Sequence, residues 1–230
     1  MNKNKTFLAI IPARGGSKRL PRKNVLELCG KPLIVWSIEA GLKSKYIDKL
    51  IVTSDDEDIL SISKKYGASI IKRPEELASD TATTFDAIKH TIDNLEKYDY
   101  IVLLQPTSPL RNEKHLDEAI EHLEQKNADA VISVCEMDHS PLWCNTLPEN
   151  GSMQNFLKEE VLNKRSQDLD KYFRLNGAIY ICKIDKFLNN KGFFLKENIY
   201  AYLMSKEDST DIDDEFDFLM TEYIMKYKNI

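Results

Sequence analysis

The chain has 230 residues, of which 42% are hydrophobic and 30% charged, with a formal net charge of −5. That length supports one substantial core and is read as a single domain over 1–230. The acidic balance speaks against a nucleic-acid partner, which would draw on a basic excess. The four cysteines (Cys29, Cys135, Cys144, Cys182) are widely spaced and form no CxxC pair. This disfavours a zinc site or disulfide framework and suits the reduced thiols of a cytoplasmic protein. Met1 to Thr6 is polar, without the apolar stretch of a signal peptide, and no apolar run approaches the ~20 residues of a membrane span.

Phe7 to Ile11 is a continuous apolar run ended by Pro12, as in a strand buried on both faces. Lys31 to Leu42 carries Leu33, Ile34, Ile38 and Leu42 at helical spacing. Leu50 to Ser54 reads as a strand, Asp55 to Tyr66 as a helix and Gly67 to Ile71 as a short strand. Thr83 to Lys97 reads as a helix with Phe85, Ile88, Ile92 and Leu95 on one stripe, and Tyr100 to Gln105 as a buried strand. Glu113 to Lys126 is helical again, and Ala128 to Val134 a strand. This alternation predicts an α/β fold with a mainly parallel sheet. The loops Pro12 to Asn24, Ser54 to Asp56 and Pro106 to Arg111 each follow a strand's carboxyl end and should meet on one rim, where such sheets bind ligands. The pattern breaks over 136–171, which reads as an arm or oligomerisation insert. It returns with Gly177 to Cys182 and ends with a helix from about Asp214.

The first of these loops, Ala13-Arg-Gly-Gly-Ser-Lys-Arg-Leu-Pro-Arg-Lys-Asn24, gathers five cations into an acidic protein. Gly15 and Gly16 allow a tight turn that presents N–H groups to an anion. Arg offers forked donors and Lys a point charge, both matched to phosphate oxygens. The loop has neither the GxxxxGK[ST] nor the GxGxxG spacing. It is read as a grip for the phosphates of a nucleoside triphosphate.

This loop resembles the signature of the acylneuraminate cytidylyltransferases, or CMP-sialic acid synthetases. Four further stretches resemble that family's motifs in order: Arg73-Pro-Glu-Glu-Leu-Ala-Ser-Asp-Thr-Ala82, Leu104-Gln-Pro-Thr-Ser-Pro-Leu-Arg111, Phe173-Arg-Leu-Asn-Gly-Ala-Ile-Tyr180 and Asp208-Ser-Thr-Asp-Ile-Asp213. The resemblance implies a Rossmann-like nucleotidyltransferase fold with a dimerisation arm at 136–171, working as a homodimer. It implies transfer of CMP from CTP to a nine-carbon keto-sugar acid, with Mg²⁺ and release of pyrophosphate. Ala13, Arg14, Gly15, Gly16, Ser17, Lys23 and Asn24 would hold the triphosphate. Arg73, Ser79 and Ala82 would serve the cytidine. Gln105, Arg174, Tyr180, Phe193 and Phe194 would line the sugar pocket, with Arg165 reaching a neighbouring subunit's sugar site. Asp211 and Asp213 would bind the metal; with Arg14 and Lys23 they are the expected catalytic set.

The residues also carry plainer readings. Asp213, Asp214 and Glu215 suit an acidic helix N-terminus, Phe193 and Phe194 suit a core, and Gly177 suits a strand bulge. His90, His115, His122 and His139 show no metal spacing. His139-Ser-Pro-Leu-Trp143 departs from the sialic acid enzymes, which resemble HHPLK there. Trp143 brings apolar surface in place of a cation, which suits a less hydroxylated sugar such as diacetyllegionaminate. The alternatives kept open are a 3-deoxy-manno-octulosonate cytidylyltransferase and a non-catalytic nucleotide-binding regulator.

Overall fold

The doubly apolar runs lie at the centre of a seven-stranded sheet in the computed structural model, which describes residues 5–79 and 81–230. Met1 to Asn4 of the polar leader and Asp80 of the second motif lie outside the described residues. The strands are β1 (Phe7–Pro12), β4 (Lys49–Ser54), β5 (Ser69–Lys72), β6 (Tyr100–Leu104), β7 (Ala130–Glu136), β8 (Phe173–Lys183) and β9 (Ile199–Leu203). A two-residue hairpin, β2 (Glu27–Leu28) with β3 (Lys31–Pro32), stands apart. The sheet order is β5-β4-β1-β6-β8-β7-β9. Every pairing is parallel except the two made by β8, which runs against both β6 and β7. The expected α/β architecture with a mainly parallel sheet is therefore present.

Alternation along the strands divides the core between the two faces. Ala9, Ile11, Val52, Val102 and Leu104 pack with Ile34 and Ile38 of α1 (Leu33–Lys43), Ile59 of α2 (Glu57–Lys65), and Leu116, Ile120 and Leu123 of α4 (Glu113–Gln125). Leu8, Ile10, Ile51, Ile101 and Leu103 face the other way, onto Ile88 of α3 (Thr84–Asp93) and Phe187 of α5 (Ile184–Asn190). A smaller cluster joins Leu28, Leu33, Leu110 and Ile212 to Met225 of α6 (Glu215–Tyr227).

The helix starts follow cap chemistry. Asp56 accepts from the amides of Asp58 and Ile59, and Thr83 and Asp214 open capping boxes with Asp86 and Asp217. Three expectations shift. Leu42 is exposed, the third helix ends at Asp93 and not Lys97, and β8 begins at Phe173, four residues before Gly177. The short α5, β9 and the hairpin carried no sequence reading. The hairpin turn rests on Cys29 and Gly30, both at positive φ, which matches the twist a two-residue loop needs. Segment 136–171 is irregular, with three-residue 3-10 turns at Pro141–Trp143, Glu159–Val161 and Ser166–Asp168.

Gly41, inside α1, marks how closely the helix approaches the sheet. A Cβ built there would lie 2.1 Å from Leu50 Cδ1 and 3.3 Å from Leu104 Cδ1. Gly41→Ala gains about 1 kcal/mol of helix propensity, but overpacking a buried site costs about 1–3 kcal/mol. Chemical denaturation should therefore show net destabilisation, with the midpoint moved to lower denaturant.

Candidate active site

The carboxyl ends of β1, β4 and β6 lie on one rim, and the three loops meet there as expected. The first and third of them bound a cleft of about 630 Å³, while Asp55 and Asp56 of the second brace the first. Its lining includes Arg14, Ser17, Lys23, Asn24, Arg73, Ser79, Ala82, Gln105 and Asp213. Among the described residues, five cations (Arg14, Lys18, Arg19, Lys23, Arg73) face one carboxylate, Asp213. In a protein of net charge −5, this local excess makes the cleft an anion trap.

The phosphate loop is held from beneath. Asp55 Oδ1 accepts from the Gly15 amide at 3.3 Å, and Arg22 forms an ion pair with Asp56, the cap of α2. A Cβ on Gly15 would sit 2.6 Å from Asp56 Oδ2, whereas Gly16 has open space around it. Gly15 therefore serves close approach to the loop after β4, and Gly16 lies at the open side. Asn24 is buried and donates from Nδ2 to the Arg14 carbonyl at 3.0 Å, which shapes the loop from within.

Arg73 is buried and donates from Nη2 to the Ala13 carbonyl at 3.3 Å and to Asp55 Oδ1 at 3.5 Å, while its Nε has no partner. Burial pulls its pKa down most, and nearby Arg14 adds to that, against the opposing pull of Asp55. A buried guanidinium with an exposed one beside it makes this end of the rim favourable to an anion. Ser79 sits at the far wall, with its hydroxyl donating to the Glu76 carbonyl at 3.0 Å, and the Ala82 amide donates back to the Ser79 carbonyl.

The acidic pair arrives from the other end of the chain. The Ile212 amide donates to the Thr107 carbonyl at 2.9 Å, and the Ile212 side chain is fully buried. This leaves Asp211 and Asp213 on either side of it, directed outward. Asp213 accepts from Arg19 Nη1 at 2.9 Å and lies 3.6 Å from Lys23 Nζ, which also donates to the Ile212 carbonyl. Asp214, not Asp213, caps α6. Asp211 is exposed as a residue, yet the protein crowds its carboxyl. Desolvation pushes its pKa up, a hydrogen bond with Thr107 opposes that, and Asp213 adds to the rise. Among the described residues, no group of three or more His, Cys, Asp or Glu side chains could hold a metal unaided. Two hard carboxylates beside a phosphate cradle nonetheless match Mg²⁺, which takes one or two carboxylates and completes its shell with phosphates and water.

Asp211 also adjoins Gln105 and Tyr180, two of the residues expected to line a sugar pocket. Gly177, at φ +76, forms the bulge where the β7–β8 register slips between Ile132 and Val134. A Cβ there would meet Gln105 Oε1 at 2.7 Å and Asp211 Oδ2 at 3.4 Å. Tyr180 lies near enough to Asp211 for its hydroxyl pKa to be raised, chiefly by burial and then by that carboxylate. Phe193 and Phe194 stack around Tyr180 with ring centroids at 5.5 and 6.5 Å. Phe193 is buried and packs on Phe187, as its core reading anticipated, while Phe194 is 58% exposed. Arg174 donates to the carbonyls of Leu175 and Ser209. Trp143 is half-buried in the arm, and Arg165 pairs with Asp168 there. Neither lines the cleft, and nor do Arg174, Tyr180, Phe193, Phe194 or Asp211; of the expected sugar residues only Gln105 does.

Two residues carried no role in the sequence reading although both lie in quoted motifs. Asn176 is buried, accepts from Ser133 Oγ at 2.6 Å and donates to Ser209 Oγ at 2.9 Å, which ties the bulge to the loop bearing Asp211. Arg111 is fully buried; its Nη2 donates to Ser37 Oγ at 2.7 Å and to the Gln105 carbonyl at 3.3 Å. Its Nε and Nη1 lack partners, and desolvation draws its pKa down to about 9. The available signal was an arginine close behind a buried strand, since arginine is rarely buried without a task. Because no carboxylate partners it, Arg111→Met removes a desolvated charge without stranding an opposite one. The variant should keep its thermal midpoint within a few degrees while nucleotide-dependent turnover falls at least tenfold through displacement of Gln105. Calorimetry and kinetics on the same preparation check both halves.

A family model described as cytidylyltransferase matches residues 8–222. The chain is 39% identical over 224 residues to the N-acylneuraminate cytidylyltransferase of Escherichia coli O18:K1:H7, with 97% of this chain and 53% of that relative covered. The chain thus spans about half the length of the first curated relatives it matches. It is 37% identical over 234 residues to the CMP-N,N'-diacetyllegionaminic acid synthase of Legionella pneumophila, covering 96% of each. Its fold matches a solved CMP:2-keto-3-deoxy-manno-octonic acid synthetase complexed with CTP at a TM-score of 0.75 and 16% identity, over 97% of this chain and 100% of that one.

Proposed function

Because the chain belongs to the cytidylyltransferase family, we propose that it transfers CMP from CTP to a nine-carbon, sialic-type keto-sugar acid and releases pyrophosphate. The observation that carries this reading is the placement of a five-cation cleft against the Asp211–Asp213 pair and the Gln105–Tyr180 surface on one rim.

In this reading the triphosphate lies along Arg14, Ser17, Arg19 and Lys23, whose charges offset those of the phosphate oxygens and of the departing pyrophosphate. The Gly15-Gly16-Ser17 backbone, supported by Asp55 and Asp56, fixes where the phosphates rest. Ala13 contributes through its carbonyl, which anchors Arg73; Asn24 fixes the loop's curvature. The pyrimidine packs against Ala82, with Ser79 and Arg73 as polar contacts. Gln105 and Tyr180 orient the sugar so that its anomeric hydroxyl approaches the α-phosphorus in line with the leaving group. Asp211 and Asp213 would hold Mg²⁺, which when bound supplies charge neutralisation and substrate orientation. One carboxylate of this pair would also assist removal of the hydroxyl proton, Asp211 being the one that adjoins Gln105.

The sugar's acyl side would meet Phe194 and the Tyr180 ring. Arg174 at the strand end is set to receive the sugar carboxylate. Trp143 and Arg165 would contribute from the arm, 136–171, acting in a homodimer, and a cytoplasmic setting would supply the CTP. The apolar face of Trp143 favours a deoxy sugar such as diacetyllegionaminate over N-acetylneuraminate.

Arg14→Ala should lower kcat by two or more orders of magnitude in a pyrophosphate-release assay; near-normal turnover removes its role. Asp211→Ala with Asp213→Ala should abolish the Mg²⁺-dependent rate. A panel of N-acetylneuraminate, diacetyllegionaminate, pseudaminate and octulosonate, each with CTP and Mg²⁺, should give pyrophosphate with a nine-carbon acid and fastest with diacetyllegionaminate. Release only with octulosonate moves the chain to the eight-carbon reaction, and no release with any acid favours the regulator.

A further inference from the structure

The segment that bears the acidic pair is fastened at a further point, outside the cleft. Asp208 lies in the loop between β9 and α6, three residues before Asp211. Its Oδ1 accepts from Lys228 Nζ at 2.7 Å, and its Oδ2 accepts from Ser205 Oγ at 2.7 Å. His115 Nε2 stands 3.7 Å from the same Oδ2. Burial draws the His115 pKa down, and its Nδ1 accepts from the Asn112 amide at 3.2 Å. The neutral ring therefore carries its proton on Nε2, facing the carboxylate. Burial works to raise the Asp208 pKa, but the hydrogen bonds from Lys228 and Ser205 outweigh it and hold the group below its ordinary value. Asp208 is thus a standing anion gripped from the end of α6, the first turn of α4 and its own loop.

The grip bears on the metal pair through chain length. α6 has 13 residues and spans about 20 Å at 1.5 Å per residue. The five residue steps from Asp208 to Asp213 reach about 18 Å at most. Lys228 closes on Asp208 beyond one end of the helix, and Asp213 leads into the Asp214 cap at the other. The segment therefore lies stretched along α6, with Ile212 in the same buried cluster as Met225. An extended backbone is what turns Ile212 inward and its two neighbours outward. On the reading that Asp211 and Asp213 hold Mg²⁺, we propose that Asp208 is a positioning residue for them: clamped by Lys228 and His115, it keeps the segment taut and so sets how the two carboxylates are spaced. Stability alone would be served as well by apolar packing, since a partly buried ion pair adds little net stability. The clamp also links the two sides of the site. His115 belongs to the Asn112 cap, which directly follows the rim loop from Pro106 to Arg111, so Asp211 is held in register with Gln105.

Calorimetric titration of CTP into the purified chain, once with EDTA and once with Mg²⁺, tests this. The ratio of the two affinities reads the metal pair, and the metal-free affinity reads the cationic loop. The wild-type chain should bind CTP more tightly with Mg²⁺. Asp208→Ala should lose most of that gain, since losing a group that orients metal ligands costs about 10–100-fold in metal affinity. Its metal-free affinity should stay unchanged. Lys228→Met should lose part of the gain, and Lys228→Arg should keep it. Where Asp208→Ala fails to fold by circular dichroism, the two Lys228 variants decide alone. A lowered thermal midpoint with the gain intact overturns the proposal and leaves Asp208 with a role in stability only. An equal fall in both affinities also overturns it, as a general disturbance of the cleft. No gain in the wild-type chain removes the metal assignment itself, and the proposal with it.

Discussion

The hydrogen bond from the Ile212 amide to the Thr107 carbonyl brings the two ends of the chain's chemistry together. Nearly two hundred residues separate the cationic loop after β1 from the acidic pair before α6. Both reach one rim because Ile212 is buried against Leu28, Leu33, Leu110 and Met225 and cannot swing outward. Its neighbours on each side must then point away from the core, which fixes Asp211 toward Gln105 and Gly177 and Asp213 toward Lys23 and Arg19. A buried isoleucine thus determines where two carboxylates stand, through the alternation of an extended backbone. Behind it, Ser133, Asn176 and Ser209 form a buried chain of hydrogen bonds that holds the same loop to β7 and β8. Since each member of that chain is satisfied, the network adds rigidity without leaving a stranded polar group.

The cleft is electrostatically provisional. Lys23 and Arg19 share Asp213, and Arg22 is taken by Asp56 and Asp58. Arg19 and Asp213 are more than half exposed, and pairs of that kind are worth about 0–1 kcal/mol. A polyanion offering several oxygens at once can replace them with little opposition. Arg73 and Arg111 differ, since both are buried and both have pKa values drawn down by desolvation. Their charge is maintained against the environment, and each is fixed by hydrogen bonds to backbone carbonyls, Ala13 for one and Gln105 for the other. The exposed cations are free to exchange partners, while the buried ones hold the loop ends that the exchange requires.

Much of this was legible in the sequence, for reasons that differ by region. The strands around Phe7, Leu50 and Tyr100 are apolar throughout because they are covered on both faces, so composition alone marked them. The rim followed from topology, since parallel strands deliver their following loops to one side. The helices expected from Asp55, Thr83 and about Asp214 begin within a residue or two of those positions, where Asp56, Thr83 and Asp214 supply the caps. α5 and β9 were missed because seven and five residues are too few to show a period. Leu42 was misplaced because it lies on the flank of α1, about 100° around the helix from Gly41, which is the residue that meets the sheet. Arg111 and Asn176 were visible as letters but not as roles, because a hydrogen bond to a residue's own turn or to a strand forty positions away leaves no periodic trace.

The same distinction separates nucleotide from sugar. Phosphate recognition uses backbone amides and cations that are adjacent in sequence, so one loop can announce it. In the proposed reading, sugar recognition would draw on β6, the β8 bulge, the turn after α5 and segment 136–171, and no single stretch contains it. The arm's base is closed, with the Met137 amide donating to the Tyr172 carbonyl at 2.8 Å and Lys171 paired to Glu136 at 3.0 Å. Beyond that base its turns are held by local contacts such as Arg165 with Asp168, and Leu147, Met153 and Leu162 lie exposed. Apolar side chains displayed on a loop with a fixed base indicate that the arm's position is set by something other than its own fold. Of the residues assigned to the sugar, only Gln105 lines the cleft; Tyr180, Phe193, Phe194, Arg174, Trp143 and Arg165 stand outside it. In the proposed reading, the residues assigned to the triphosphate are therefore adjacent in sequence and share one rim, while those assigned to the sugar are spread over several elements.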